Sequence, residues 1–195
     1  MAYKVIHTYT SSRKEDQKDT WEMVGNLRKH LTTLNVYCRD SNLWPNMLRD
    51  IWWGQNVILL EQDVSSSIQS VFSLIECKHP RCTIPYLLNG EINSIYNMRD
   101  NKRIEISDDK EFCEYSGLGL VKISNQGWPE DRINLGSWKT MDQFLSGYMI
   151  YDEILNDSPN KGWHIHRPPA THNHVSKSQN QKIQANKGKI LSLQK

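Results

Sequence analysis

Four apolar residues in succession, Val57-Ile58-Leu59-Leu60, run straight into Glu61-Gln62-Asp63. A strand with one face in water alternates apolar and polar residues, whereas an unbroken apolar run marks a strand buried on both faces. Such a strand needs a packed layer on each side of its sheet, which excludes most small all-β arrangements and favours a parallel sheet between helices. The abrupt return to carboxylates then locates the strand's carboxyl end.

The flanking segments agree with that requirement. Lys4 to Tyr9 reads as a strand, and Lys14 to Leu31 as a helix with Trp21, Val24, Leu27 and Leu31 on one face. Asn35 to Arg39 is a second strand, and Pro45 opens a helix carrying Met47, Leu48, Ile51 and Trp52 that Gly54 ends. After the central run, Ser65 to Cys77 places Ile68, Val71, Phe72 and Ile75 at helical spacing, and Thr83 to Leu88 is another strand. Strand–helix alternation from residue 4 to 88 predicts an α/β fold with a mostly parallel central sheet flanked by helices, joined by right-handed crossovers. Farther on, Leu118 to Ser124 reads as a strand. Thr140 to Leu155 reads as a helix striped by Met141, Phe144, Leu145, Tyr148 and Tyr151, with Thr140 and Gln143 as its capping box.

A chain of 195 residues suits one domain, and the pattern places it at 1–174. Residues 175–195 hold five lysines and no acid, so the net charge of +2 leaves −3 for the remainder (2 minus 5). The basicity is a tail, expected to be flexible, and nucleic acid is not an expected partner of the domain. No run of about 18 apolar residues and no signal-peptide core are present, so no membrane span and a cytoplasmic location are expected. Seven tryptophans are a weak pointer to a carbohydrate or nucleotide surface.

Ligands of open α/β sheets bind beyond the carboxyl ends of the strands, and this directs attention to Glu61 and Asp63. A spacing of two puts both carboxylates on one side of an extended backbone, where Mg²⁺ or Mn²⁺ bridged to phosphates would compensate them; a strand simply reaching solvent would carry the same acids. Four of the seven histidines, His164, His166, His172 and His174, fall within eleven residues, a density suited to Mn²⁺ or Zn²⁺ or to ordinary hydrogen-bonding imidazoles beside Pro168-Pro169. Asp142 sits in the first turn of its helix, where the dipole alone favours a carboxylate; as a base it competes with Glu130 and Asp131. Cys77 and Cys82, four residues apart, form a lone pair that either closes a local disulfide or stays reduced, as structural zinc wants four ligands. Phosphate-binding, dinucleotide-binding and nucleophile-elbow glycine motifs are missing.

Taken in order, Glu61-Gln62-Asp63, Cys77 to Tyr86, Gly117-Leu118-Gly119-Leu120, Trp138 to Asp142 and the sequence His164-x-His166-x-Pro168 with His172-x-His174 resemble the GT-A class of glycosyltransferases over residues 3–174. Within that class they are similar to the small form of a turreted icosahedral virus of hyperthermophilic archaea. The resemblance implies a GT-A fold and transfer of a sugar from a UDP- or GDP-sugar to a hydroxyl of a glycan or protein, such as a viral structural protein, in the host cytoplasm. Glu61-Gln62-Asp63 stands where the class has Asp-x-Asp, so Asp63 is implied as the metal ligand and Glu61 as facing the ribose or, through water, the metal. Glu61 departs from the pattern by one methylene. Thr8, Tyr9 and Arg13 match the segment holding base and phosphates, Asp40 the position contacting base or ribose, and Gly117 to Leu120 the flank of the acceptor site. Asp142 matches the base of inverting members, and His172 or His174 the late ligand of a Mn²⁺ or Mg²⁺ ion. The expected chemistry is a single displacement in which the metal neutralises the leaving diphosphate while a carboxylate takes the acceptor proton. Two rival readings use the same residues: a metal-dependent phosphoester hydrolase built on Asp63 and the histidines, and a non-catalytic binding module docking through the lysine tail.

Overall fold

A computed structural model describes residues 2–9, 17–38, 46–88, 92–93, 95–97, 102–104, 111–113, 115–116, 119–129, 145, 162–168 and 170–172. Strand β1 (Lys4–Tyr9) leads to helix α1 (Lys18–Leu27), then to β2 (Thr32–Tyr37) and a π-helical turn at Leu48–Trp52. Gly54, at φ 75°, ends that turn in the left-handed region that glycine enters without penalty. The apolar run forms β3 (Val57–Leu60), followed by the short β4 (Val64–Ser65) and helix α2 (Ile68–Glu76).

The expected strand from Thr83 to Leu88 is two strands, β5 (Arg81–Thr83) and β6 (Tyr86–Leu88), parted at Ile84-Pro85 and assigned to different sheets. Proline supplies no amide hydrogen to a ladder, so the break falls where a proline permits it. Short strands follow: β7 (Ile92–Asn93), β8 (Ile95–Asn97), β9 (Lys102–Ile104), β10 (Phe112–Cys113) and β11 (Tyr115–Ser116). The last described strands are β12 (Leu120–Ile123), β13 (Trp163–Ile165) and β14 (Ala170–His172). The helix expected over Thr140 to Leu155 lies outside the described residues except at Leu145, and so does the lysine tail.

The main sheet has seven strands in the order β10-β13-β5-β12-β3-β1-β2. β1, β2, β3, β5 and β13 run one way, while β12 and β10 run against them. The sheet is therefore mostly parallel in direction, with one departure from the expected order. β12, supplied from some 40 residues farther along, is inserted antiparallel between β3 and β5. Two smaller sheets, β11-β8-β9 and β4-β14-β6-β7, accompany it.

Burial on both faces of β3 holds as expected. Val57 and Leu59 join a core with Ile6, Leu48, Trp52, Trp128 and Trp163, while Ile58 and Leu60 join a second core with Val5, Val24, Leu27 and Leu74. Removing one such leucine costs about 2–5 kcal/mol, so two cores meeting at one strand fix its register firmly. The helices are rotated slightly from the expected faces. α1 buries Thr20, Met23, Val24 and Leu27, leaving Trp21 half-buried, and α2 buries Ser70, Val71 and Leu74, leaving Ile68, Phe72 and Ile75 half-buried. Ser67 caps α2 by accepting from the amide of Ser70 at 3.0 Å, an arrangement worth about 1 kcal/mol. No helix among the described residues is long and apolar enough to cross a membrane.

Candidate functional site

The carboxyl ends of β1, β2 and β3 lie side by side, since the three strands pair in parallel with Tyr9 opposite Tyr37 and His7 opposite Leu60. From this edge the backbone turns through Glu61, Gln62 and Asp63 into β4. Among the bonds that hold the turn, the Glu61 amide donates to the Gly119 carbonyl at 2.8 Å, the Thr8 hydroxyl to the Leu60 carbonyl at 3.3 Å, and the Thr20 hydroxyl to the Val64 carbonyl at 3.0 Å. Glu61 is half-buried, and Asp63 retains only 6% of its exposure. The second acid of the motif thus enters the protein instead of reaching into solvent.

Beside this turn the aromatic side chains form a shelf. The Tyr9 ring lies 5.6 Å from that of Tyr37 and 5.2 Å from that of Trp21, and the His7 ring sits edge-on to Trp21 at 4.6 Å. Gln17, itself buried, connects shelf and turn: its carbonyl accepts from the Trp21 indole at 3.4 Å, and its amide donates to Gln62 at 3.3 Å. Tyr37 remains 50% exposed, so the shelf is open to solvent within two strands of the acids.

The second small sheet brings a late histidine to the same turn. β14 pairs antiparallel with β4, with His172 opposite Val64 and so one residue out of step with Asp63. Of the residues singled out from sequence, Thr8, Tyr9, Glu61, Asp63 and the backbone of His172 are gathered at this edge. Arg13, Asp40, Asp142, His174, Glu130 and Asp131 lie outside the described residues. A groove of about 460 Å³ between α1 and the start of α2 is lined by Asp19, Glu22, Met23 and Ser65 to Ser67 among others, and Glu61 and Asp63 are not among its walls.

A different constellation stands inside the sheet. Cys77 ends α2, Cys82 lies in β5, His164 in β13 directly opposite Cys82, and His166 one residue past β13. One ligand atom from each of the four lies within 4.8 Å of every other. The Cys77 sulfur is 3.5 Å from Nδ1 of His164, and Nδ1 of His166 is 3.2 Å from the Ser73 hydroxyl. Lys122, opposite Cys82 on β12 and 1% exposed, donates from Nζ to the Cys77 carbonyl at 2.7 Å. Burial pushes the Cys82 thiol up to about 12, with the Lys122 charge opposing. Burial, then the neighbouring positive charges of His164, Lys122 and His79, bring His166 down to about 4. Burial also lowers His164, against which His79 stacks at 4.2 Å.

All four cysteines are free thiols, so the local Cys77–Cys82 disulfide weighed from sequence is not formed. In the sequence the two halves of this cluster, the Cys-x₄-Cys pair and the His-x-His pair, stand as separate weak features. Their junction depends on β13 lying next to β5, some 80 residues away, and nothing in local spacing encodes that adjacency. The strongest available sign was the cysteine pair bracketing the start of a strand.

Fold and edge together define a mixed α/β protein with a large mostly parallel sheet and a carboxylate-bearing turn at its carboxyl edge. Its fold is like that of A197 from STIV, a turreted icosahedral virus, with a TM-score of 0.51 and 14% identity, covering 90% of this chain and 87% of that one. No family model matches the chain, and no curated protein matches it in sequence.

Proposed function

We propose that this protein is a metal-dependent glycosyltransferase of the GT-A type, moving a sugar from a UDP- or GDP-sugar to a hydroxyl of a glycan or protein. The observation that carries the reading is the placement of Asp63: almost fully buried, immediately past the carboxyl end of the central strand, with the strand bearing His172 paired against the next residue. Carboxylate oxygens with one imidazole form a donor set suited to Mn²⁺, or to Mg²⁺ with fewer nitrogen contacts. Asp63 would hold the ion, with His172 or His174 as the further ligand that the family resemblance implies and Glu61 facing the donor's ribose. A divalent ion there would neutralise charge on the departing diphosphate.

The chain's own residues carry the rest. Tyr9 and Tyr37 offer a stacking surface for a nucleobase, as aromatic platforms do for bases generally. Gln17 and Thr8 fix the turn so that both acids are positioned before ligand arrives, which lowers the ordering cost of binding. Asp142 is the proposed base for the acceptor hydroxyl, with inversion at the anomeric carbon, and that assignment rests on the family resemblance. The likeness to a viral protein supports a viral setting, with a structural protein of the particle as acceptor and the host cytoplasm as location.

Titration with UDP- and GDP-sugars, with and without Mn²⁺, tests the reading. Donor binding that needs the metal and is lost in Asp63→Ala is the expected result. Equal binding in that variant, or turnover of simple phosphoesters without any sugar donor, would overturn it in favour of a module or a hydrolase.

A further inference from the structure

The cluster of Cys77, Cys82, His164 and His166 takes no part in the site proposed above. We infer that these four side chains form a closed, structural Zn²⁺ site clamping the end of α2 and strand β5 to strand β13. Tetrahedral zinc, with Zn–S near 2.3 Å and Zn–N near 2.0–2.1 Å, sets its ligand atoms about 3.3–3.8 Å apart. The 3.5 Å separation of the Cys77 sulfur from Nδ1 of His164 falls in that range, and all four ligand atoms lie within 4.8 Å of one another. Two sulfurs and two imidazoles select zinc over the hard ions expected at Asp63. Four protein ligands leave no open position for substrate, which distinguishes a structural from a catalytic site.

Two further observations point to a ligand. Nε2 of His166 is buried with no hydrogen-bond partner, while Nδ1 of the same ring faces the Ser73 hydroxyl at 3.2 Å. That pairing is what a metal-bound histidine requires: the outer nitrogen donates to an oxygen, which fixes the tautomer and turns the inner lone pair toward the ion. Lys122 supplies the other. Its buried ammonium has the Cys77 carbonyl at 2.7 Å and the Tyr3 ring at 5.9 Å, and no carboxylate pairs with it among the described residues. A positive charge opposite Cys82 favours the thiolate, the form in which a cysteine ligates a metal.

The clamp also has a consequence for the chain's path. His164 and His166 immediately precede the segment that leads into β14, so fixing them fixes the approach of β14 to β4. The zinc site would thus hold in place the strand carrying His172 without touching substrate. Zinc content and donor binding are separate readouts, so one reading can fail while the other stands.

The test uses the full chain, produced with zinc in the medium and purified under reducing conditions without chelator. Elemental analysis should find one zinc per chain, retained in Asp63→Ala and lost in Cys82→Ser and in His166→Ala. Should those variants not fold, exchange of Co²⁺ into the wild-type protein decides instead: the expected spectrum combines tetrahedral d–d bands with thiolate-to-metal charge transfer. Ser73→Ala should weaken zinc affinity about 10–100-fold, with Ser73→Thr restoring it, as for other groups that orient a ligand. A wild-type protein with no bound zinc, a Co²⁺ spectrum without thiolate bands, or a Cys77–Cys82 disulfide in the native protein by mass spectrometry would each overturn the assignment.

Discussion

Acidification should destabilise this protein through His7, and the size of the effect follows from where the ring sits. His7 is in the middle of β1, wholly buried, with Nδ1 3.3 Å from the Asn35 side-chain oxygen and Nε2 buried without a partner. A proton on Nε2 would therefore bury a charged donor with nothing to receive it. Burial accordingly lowers the ring from 6.5 to about 4, against a smaller upward pull from the Asn35 bond and with a minor lowering by Arg28. Between those two values the unfolded chain binds a proton that the native one refuses. Stability is then complete above about pH 6.5 and is lost as pH falls toward 4. The full gap corresponds to about 3 kcal/mol, and at pH 5 about 2 kcal/mol of it has been lost. In urea titrations with a slope of about 2 kcal/mol per molar, the midpoint falls by about 1 M from this one group between pH 8 and pH 5. His7→Gln keeps a polar side chain beside Asn35 but cannot titrate, so it should lose about 2 kcal/mol less than wild type over the same interval. Identical acid sensitivity in the two proteins would refute the reasoning and place the proton elsewhere.

Two other substitutions probe the frame and the shelf. In Gly127→Ala the new methyl would sit 2.7 Å from the Pro80 carbonyl oxygen and 3.2 Å from the Ile123 side chain; a destabilisation of about 1–3 kcal/mol, read as a melting-temperature drop of about 3–10 °C by calorimetry, is expected. Tyr37→Ala should leave the melting temperature near that of wild type, because the side chain is half exposed at the edge of the sheet, while weakening nucleotide-sugar affinity about tenfold in calorimetric titration, in line with the loss of one base–aromatic stack.

The central strand was legible in sequence because its signal is local. Val57 to Leu60 has no polar residue to offer to solvent, so any fold that accepts it must cover both faces, and the carboxylates after Leu60 must then lie at an edge. β1, α2 and the stop at Gly54 were readable for the same reason: apolar spacing and a terminating glycine are written in a few consecutive residues. The exact helical faces were not, since Trp21 and Met23 are both apolar and only the sheet beneath decides which one turns inward.

What only tertiary structure decided is adjacency between distant segments. The antiparallel entry of β12 between β3 and β5, the pairing of β14 with β4 that sets His172 opposite Val64, and the pairing of β13 with β5 that unites Cys77 and Cys82 with His164 and His166 are all contacts across 35 residues or more. Hydrophobic period specifies that a segment is a strand and which face is apolar, but many strands share that description. Which one becomes the neighbour depends on the packing of the whole core. The chemistry-bearing residues were therefore visible one by one in the sequence, and their assembly into an acidic turn at the sheet edge and a sulfur–imidazole cluster within the sheet belongs to the fold.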